Sequence, residues 1–208
     1  MPGFGRIGCS RFRRFSMGMS FRIVLIFLVC LTFMPFSEKA SAQETVKSLP
    51  NRYGVAITAG NTYSPENNIS FAQVTGLALY DYGKIWGHKA PVPLWFKVEA
   101  NIGSTTRPDK KLISSVNMFA LYYLEEFSYK SFRPYIEGGI GVIYTDFKVD
   151  GQGLRFNFNP QMGIGTEFKV GSDTTLFTAI RLHHISNGGL NHENTGISSV
   201  TVSLGRFF

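Results

Sequence analysis

Past residue 42 the chain has no cysteine, because Cys9 and Cys30 both lie in the first 42 residues. The remainder can form no disulfide staple, no thiolate metal site and no cysteine nucleophile. It also lacks an excess of charge. The first 42 residues carry six of the 21 Lys+Arg and one of the 14 Asp+Glu, so without them the net charge falls from +7 to +2. A nucleic-acid partner, which needs a basic patch or stripe, is therefore not expected. No apolar run reaches the roughly 20 residues of a membrane-spanning helix, and no useful helical periodicity appears after Ala42. The four histidines are not spaced as metal ligands and no carboxylate cluster suggests calcium. No metal or other cofactor is expected.

What is present begins with an address. Arg6, Arg11, Arg13, Arg14 and Arg22 precede an apolar run from Ile23 to Phe36, and Ala40-Ser41-Ala42 follows just before Gln43. This is the three-part layout of a secretory signal peptide. The expected division is a signal peptide over 1–42 and one domain over 43–208. Met17 and Met19 are alternative starts.

After the leader, runs of about ten residues rich in aromatic and β-branched types alternate with polar or Gly/Pro breaks. Strands are expected at 51–60, 69–81, 93–103, 114–126, 132–145, 156–170, 174–187 and 196–208. Leu94, Phe96, Val98, Ala100 and Ile102 share one face of the third, and Trp95, Lys97, Glu99 and Asn101 the other. A soluble β-sandwich also alternates, but its large residues converge inward. A barrel crossing lipid inverts this, with apolar side chains outside and polar ones in the lumen. Three features favour the inverted case. The apolar faces run over whole spans. Aromatics (Tyr53, Phe71, Tyr80, Trp86, Trp95, Phe127, Tyr129, Phe132, Phe207) lie near strand ends, as interfacial girdles require. Glycine is frequent on the polar face, as a narrow eight-strand lumen needs. Lys97, Glu99, Glu137, Glu167 and Arg181 are expected to pair inside, since unpaired buried charge is costly. The fold class is thus all-β, an eight-stranded antiparallel transmembrane β-barrel in a bacterial outer membrane. Phe207-Phe208, closing an amphipathic strand, resembles the signal such barrels offer to the outer-membrane assembly machinery.

With both termini in the periplasm, outer loops are expected near 61–68, 104–113, 146–155 and 188–195. The inner turn Gly171-Ser172-Asp173 is short, whereas the turn from Tyr82 to Val92 is longer than inner turns usually are.

The seventh strand carries the candidate chemistry. Arg181 belongs in the lumen, which sends Ile180, Leu182, His184 and Ser186 toward lipid, the last two adjacent on one face. Ester hydrolysis needs a hydroxyl activated by a neighbouring base. Imidazole, with an ordinary pKa near ~6.5, is the common choice. His184 as base, Ser186 as nucleophile and Asn187 as oxyanion donor form such a set. A bare His-x-Ser is also a short motif that arises by coincidence in a polar headgroup zone. His183 is expected to be a satisfied luminal group, His192 a solvated loop residue, and His88 a residue of a periplasmic turn.

From His184 the order His184, Ile185, Ser186, Asn187, Gly188, Gly189, Leu190, then Asn194 and Gly196-Ile197, resembles the signature of the lipid A 3-O-deacylases. These are eight-stranded outer-membrane esterases that release the 3-O-linked hydroxyacyl chain of lipid A. The resemblance implies His184 as base, Ser186 as nucleophile, Asn187 as oxyanion support, and Asn194 and Gly196 as residues that shape the site. It implies lipid A, or lipopolysaccharide in the outer leaflet, as substrate. It also implies a Glu two residues after Gly196, to orient the histidine. This chain has Ser198 there, and Glu193 in the preceding loop is the nearby carboxylate that is the candidate third member. The rival class is a non-catalytic structural or adhesive barrel acting through loops 104–113 and 146–155. A palmitoyl transferase is a further enzymatic alternative, but it needs an internal hydrocarbon cavity. A homodimer is left open.

Overall fold

The computed structural model describes residues 51–66, 68–171 and 174–208. The expected 1–42 signal peptide lies outside the described residues, as do Ser172 and Asp173 of the short inner turn. Two-residue alternation produces nine strands, β1 (Arg52–Ser64), β2 (Ser70–Asp81), β3 (Leu94–Arg107), β4 (Leu112–Tyr123), β5 (Phe132–Thr145), β6 (Phe156–Phe158), β7 (Gln161–Val170), β8 (Thr174–Ile185) and β9 (Ile197–Phe207). β6 and β7 both pair with β5 and are two halves of one barrel strand. Neighbours are antiparallel throughout. β1 pairs with β9 and β4 with β5, so the sheet closes on itself. The described residues form an eight-stranded antiparallel β-barrel whose sheet leaves no open edge among them.

The sixth barrel strand was expected to be continuous over 156–170, but it breaks at Asn159-Pro160. Proline has no N–H to give to a ladder, so a strand that contains it must yield there. The long inner turn also has a local explanation. Helix α1 (Tyr82–Trp86) fills it, capped by the Asp81 carboxylate accepting from Lys84 N at 3.0 Å and ended by Gly87 at φ 66°. That left-handed conformation suits glycine.

Burial follows the inverted pattern. Ile57, Ile102, Ile164, Ile180 and Leu204 are all more than half exposed, whereas Lys97, Glu99, Asn117, Glu137 and Arg181 are buried. Apolar side chains outside and charges inside define a transmembrane-type barrel. Phe71, Trp95 and Phe207, expected in the aromatic girdle, are instead buried in the barrel. Trp95 shares strand parity with Lys97, and parity outranks position along the strand. Tyr53, Trp86, Phe127 and Tyr129 do stay on the outside.

The lumen is layered. At mid-height Arg181 grips Glu99 with two guanidinium nitrogens at 2.7 and 2.8 Å and Glu137 with Nε at 2.5 Å. Lys97 Nζ lies 3.0 Å from Glu99 and also pairs with Glu137. Two cations thus meet two anions, and Phe119 lies under both cations at 4.7 and 4.8 Å. Gly163 leaves room for this layer, since a Cβ there would stand 2.8 Å from Arg181 Cγ. Glu167, also expected to pair inside, is buried and does so with Arg52 at 3.0 Å and with the Tyr123 hydroxyl, near the end that holds the barrel's termini. At the opposite mouth Phe71, Ile113, Ile143, Ile185 and Ile197 form a cluster, over which Phe147 and Val149 of the 146–155 loop pack. The barrel interior is a packed core crossed by charge, not a hydrocarbon channel.

Candidate active site

The site lies where β8 leaves the apolar band. Ile180 and Leu182 are exposed on the outer wall, and His184 and Ser186 follow on the same face, both half-buried. The neighbouring strand shows the same transition, from Leu204, Val202 and Val200 to Ser198 and Gly196. On β1, Ile57 and Ala59 give way to Asn61. On each of these strands polar residues thus follow the apolar stretch of the outer wall.

Backbone pairing fixes the level of each side chain. His184 stands opposite Ser198 in the β8–β9 register, and His183 opposite Ser199. His184 N donates to the carbonyl of Pro160 at 3.0 Å, and Ser186 exchanges backbone hydrogen bonds with Phe158 at 2.9 and 3.0 Å. The broken sixth strand therefore still carries β8 out to Ser186. Proline can accept this bond even though it cannot donate one.

His184 Nδ1 is 2.9 Å from Ser198 Oγ. Its ring lies over Gly196, where a Cβ would come within 2.5 Å of Cε1 and 2.8 Å of Nε2. Gly196 is thus a steric requirement of this ring position. The Ser186 hydroxyl has no hydrogen bond among the described residues, and Nε2 of His184 has none either. In an empty site such contacts commonly tighten only when substrate arrives.

Two of the expected site residues make their contacts within the loop and not at the imidazole. Glu193 is exposed, and its carboxylate is not brought to the imidazole; Ser198 occupies the only bonded ring nitrogen. The contribution of Glu193 is made by its backbone, whose carbonyl accepts from Asn187 Nδ2 at 2.8 Å and from Gly153 N at 2.8 Å. Glu193 lies in the loop four positions before β9, whereas Ser198, a residue of the strand itself, already faces the ring. Asn187, the expected oxyanion donor, is 1% exposed and spent on the loop. Its N–H donates to Asn194 Oδ1 at 2.8 Å, and its Oδ1 accepts from Gly189 N at 2.9 Å. Because Asn194 Oδ1 must accept that N–H, its Nδ2 is the end left outward. His183 is luminal and buried, with Nδ1 2.9 Å from Ser199 Oγ, and His192 is exposed in the outer loop.

Sequence reading missed the brace on this loop. Segment 151–153 runs beside 193–195, with Thr195 N donating to Gly151 O and Gly153 N to Glu193 O, each at 2.8 Å. Gly151 sits at φ 75° against Thr195. The only hint was the Asp150-Gly151-Gln152-Gly153 turn, and nothing in it names a partner over 40 residues away. Among the described residues no group of three or more His, Cys, Asp or Glu side chains could hold a metal ion.

The family model for lipid A 3-O-deacylase (PagL) matches residues 72–206, which include His184, Ser186, Asn187, Glu193, Asn194, Gly196 and Ser198. The chain belongs to the PagL family. The lipid A deacylase PagL of Pseudomonas aeruginosa is 36% identical over 87 residues, covering 40% of this chain and 48% of that protein. The matched part thus spans about half the length of the curated relative. The barrel is similar in fold to a crystal structure of the outer membrane enzyme PagL, with TM-score 0.54, 24% identity, and coverage of 73% of this chain and 97% of that one. It is also similar to Neisserial surface protein A, with TM-score 0.58, 13% identity, and coverage of 76% and 95%. Membership in the PagL family leaves one chemical departure in view: a hydroxyl, Ser198, stands where the family resemblance calls for a carboxylate.

Proposed function

We propose that this protein is an outer-membrane ester hydrolase that removes the 3-O-linked hydroxyacyl chain of lipid A, with Ser186 as nucleophile and His184 as base. The observation that carries the reading is the location of the pair. A histidine and a serine share the outer wall where the apolar belt ends, which in this reading is the level of acyl esters in an outer leaflet. There an acyl chain stays in the membrane, against Leu182 and Val200, while its ester reaches the imidazole.

The reaction follows ordinary acyl transfer. Ser186 Oγ attacks the ester carbonyl carbon as His184 Nε2 takes the hydroxyl proton. The tetrahedral intermediate collapses, and His184 returns that proton to the departing sugar oxygen, leaving an acyl-serine. Water, activated by the same nitrogen, then releases the hydroxy fatty acid and restores Ser186. The charge on the carbonyl oxygen needs a donor that is not already committed. Asn187 is consumed by the loop, so Asn194 Nδ2, held outward by its own Oδ1 contact, is the proposed donor. The sugar-phosphate part of the substrate remains in the aqueous headgroup layer, next to the outer loops.

The experiment is a mass spectrum of lipid A from cells with and without this protein. Loss of one 3-hydroxyacyl mass on expression is the expected result. Unaltered lipid A from cells with correctly assembled barrel would favour the structural or adhesive alternative.

A further inference from the structure

The imidazole of His184 is held by one hydrogen bond and by one missing side chain. Ser198 Oγ lies 2.9 Å from Nδ1. At the other edge of the ring, any Cβ at Gly196 would crowd Cε1 and Nε2. Ser198 is directly opposite His184 in the sheet register, so a rigid strand and not a loop sets this contact. Nε2 makes no hydrogen bond among the described residues and is the nitrogen left to act as base.

We propose that Ser198 is the positioning residue of the His184–Ser186 pair, holding the ring in place without selecting its tautomer. The proposal rests on the assignment of Ser186 as nucleophile and His184 as base. A hydroxyl both donates and accepts. When Ser198 accepts, the proton is on Nδ1, and Nε2 is the free base that Ser186 requires. When Ser198 donates, the proton is on Nε2, and the ring cannot take another from Ser186. A carboxylate only accepts, so it would enforce the first arrangement and would also stabilise the imidazolium that forms during attack. The site in this chain is therefore correctly oriented but only part of the time correctly protonated. Its turnover is limited by residue 198 and not by substrate binding.

The test uses the full barrel, purified and folded, acting on lipid A in mixed micelles, with folding of each variant checked by its heat-modifiable mobility on gels. Ser198→Ala should lower kcat about three- to tenfold, the worth of one ordinary hydrogen bond, and leave KM unchanged. Ser198→Thr keeps the hydroxyl and should keep the rate. Ser198→Glu should raise kcat by about tenfold or more. Nitrogen-15 spectra of the His184 ring should show mixed tautomers in the natural protein and the Nδ1–H form alone in Ser198→Glu. Wild-type kcat in Ser198→Ala, or an unchanged tautomer signal in Ser198→Glu, would overturn the proposal. The two levels of failure are separable. If Ser186→Ala hydrolyses as fast as the natural protein, the assignment of the nucleophile is wrong. If Ser186→Ala is dead while all Ser198 variants run at the natural rate, only the positioning role is wrong.

Discussion

His183 and His184 are adjacent in sequence, and each has Nδ1 2.9 Å from a serine hydroxyl of β9, Ser199 and Ser198 respectively. The hydrogen bonds are equivalent, but the surroundings are not. His183 is buried in the lumen with Phe71 at 6.3 Å edge-on, and its only task is to be satisfied. His184 lies on the outer wall, where Ser186 shares its face and an ester can approach. One residue of register, which in a strand means the opposite face of the sheet, separates a luminal histidine from the one proposed to act as base.

That contrast can be broken by exchanging the consequences. His184→Ala should reduce deacylation on the order of 10⁴-fold or more, because it removes the base while the barrel stands. His183→Gln should cost about 1 kcal/mol of stability for the lost hydrogen bond and leave deacylation in place. Equal loss of activity in both, measured on folded protein, would erase the distinction.

The luminal charge layer sharpens the same comparison on the side of stability. Arg181→Met leaves Glu99 and Glu137 buried with only Lys97 to answer them. Removing one partner from a buried ionic group typically costs about 3–5 kcal/mol, which urea unfolding in vesicles would register. An unshifted midpoint would mean that the layer is not the barrel's internal clamp. Gly196→Ala acts on the wall side. A displacement of the imidazole by the new methyl should lower kcat about 10²-fold, with unfolding unchanged. Retention of kcat would show that the ring does not need its observed seat. Glu193→Ala should have the smallest effect, within about 0.5 kcal/mol in stability and with activity retained, since the residue works through its backbone. A large loss of activity would return its carboxylate to the site.

The barrel was legible because its determinants are local. A period of two, sustained over Leu94–Ile102 or Gln161–Val170, dictates a strand, and the charges at Lys97, Glu99 and Arg181 mark which face is enclosed. The same parity put Phe71, Trp95 and Phe207 inside, although their positions near strand ends suggested a girdle. At the site, His184, Ser186 and the face they share followed from alternation and from the family signature. What could not be read were the contacts that depend on strand order and loop conformation. Nothing in the sequence says that Asn187 faces into its own loop, or that 151–153 braces 193–195. Ser198 was visible as a substitution, and its register opposite His184 made it the partner.

The central claim is that the outward-facing pair performs the hydrolysis. Lipid A should therefore be compared by mass spectrometry between cells making the natural protein and cells making Ser186→Ala at equal levels of folded barrel. The account predicts one 3-hydroxyacyl chain lost in the first and full acylation in the second. Equal deacylation in both would contradict it.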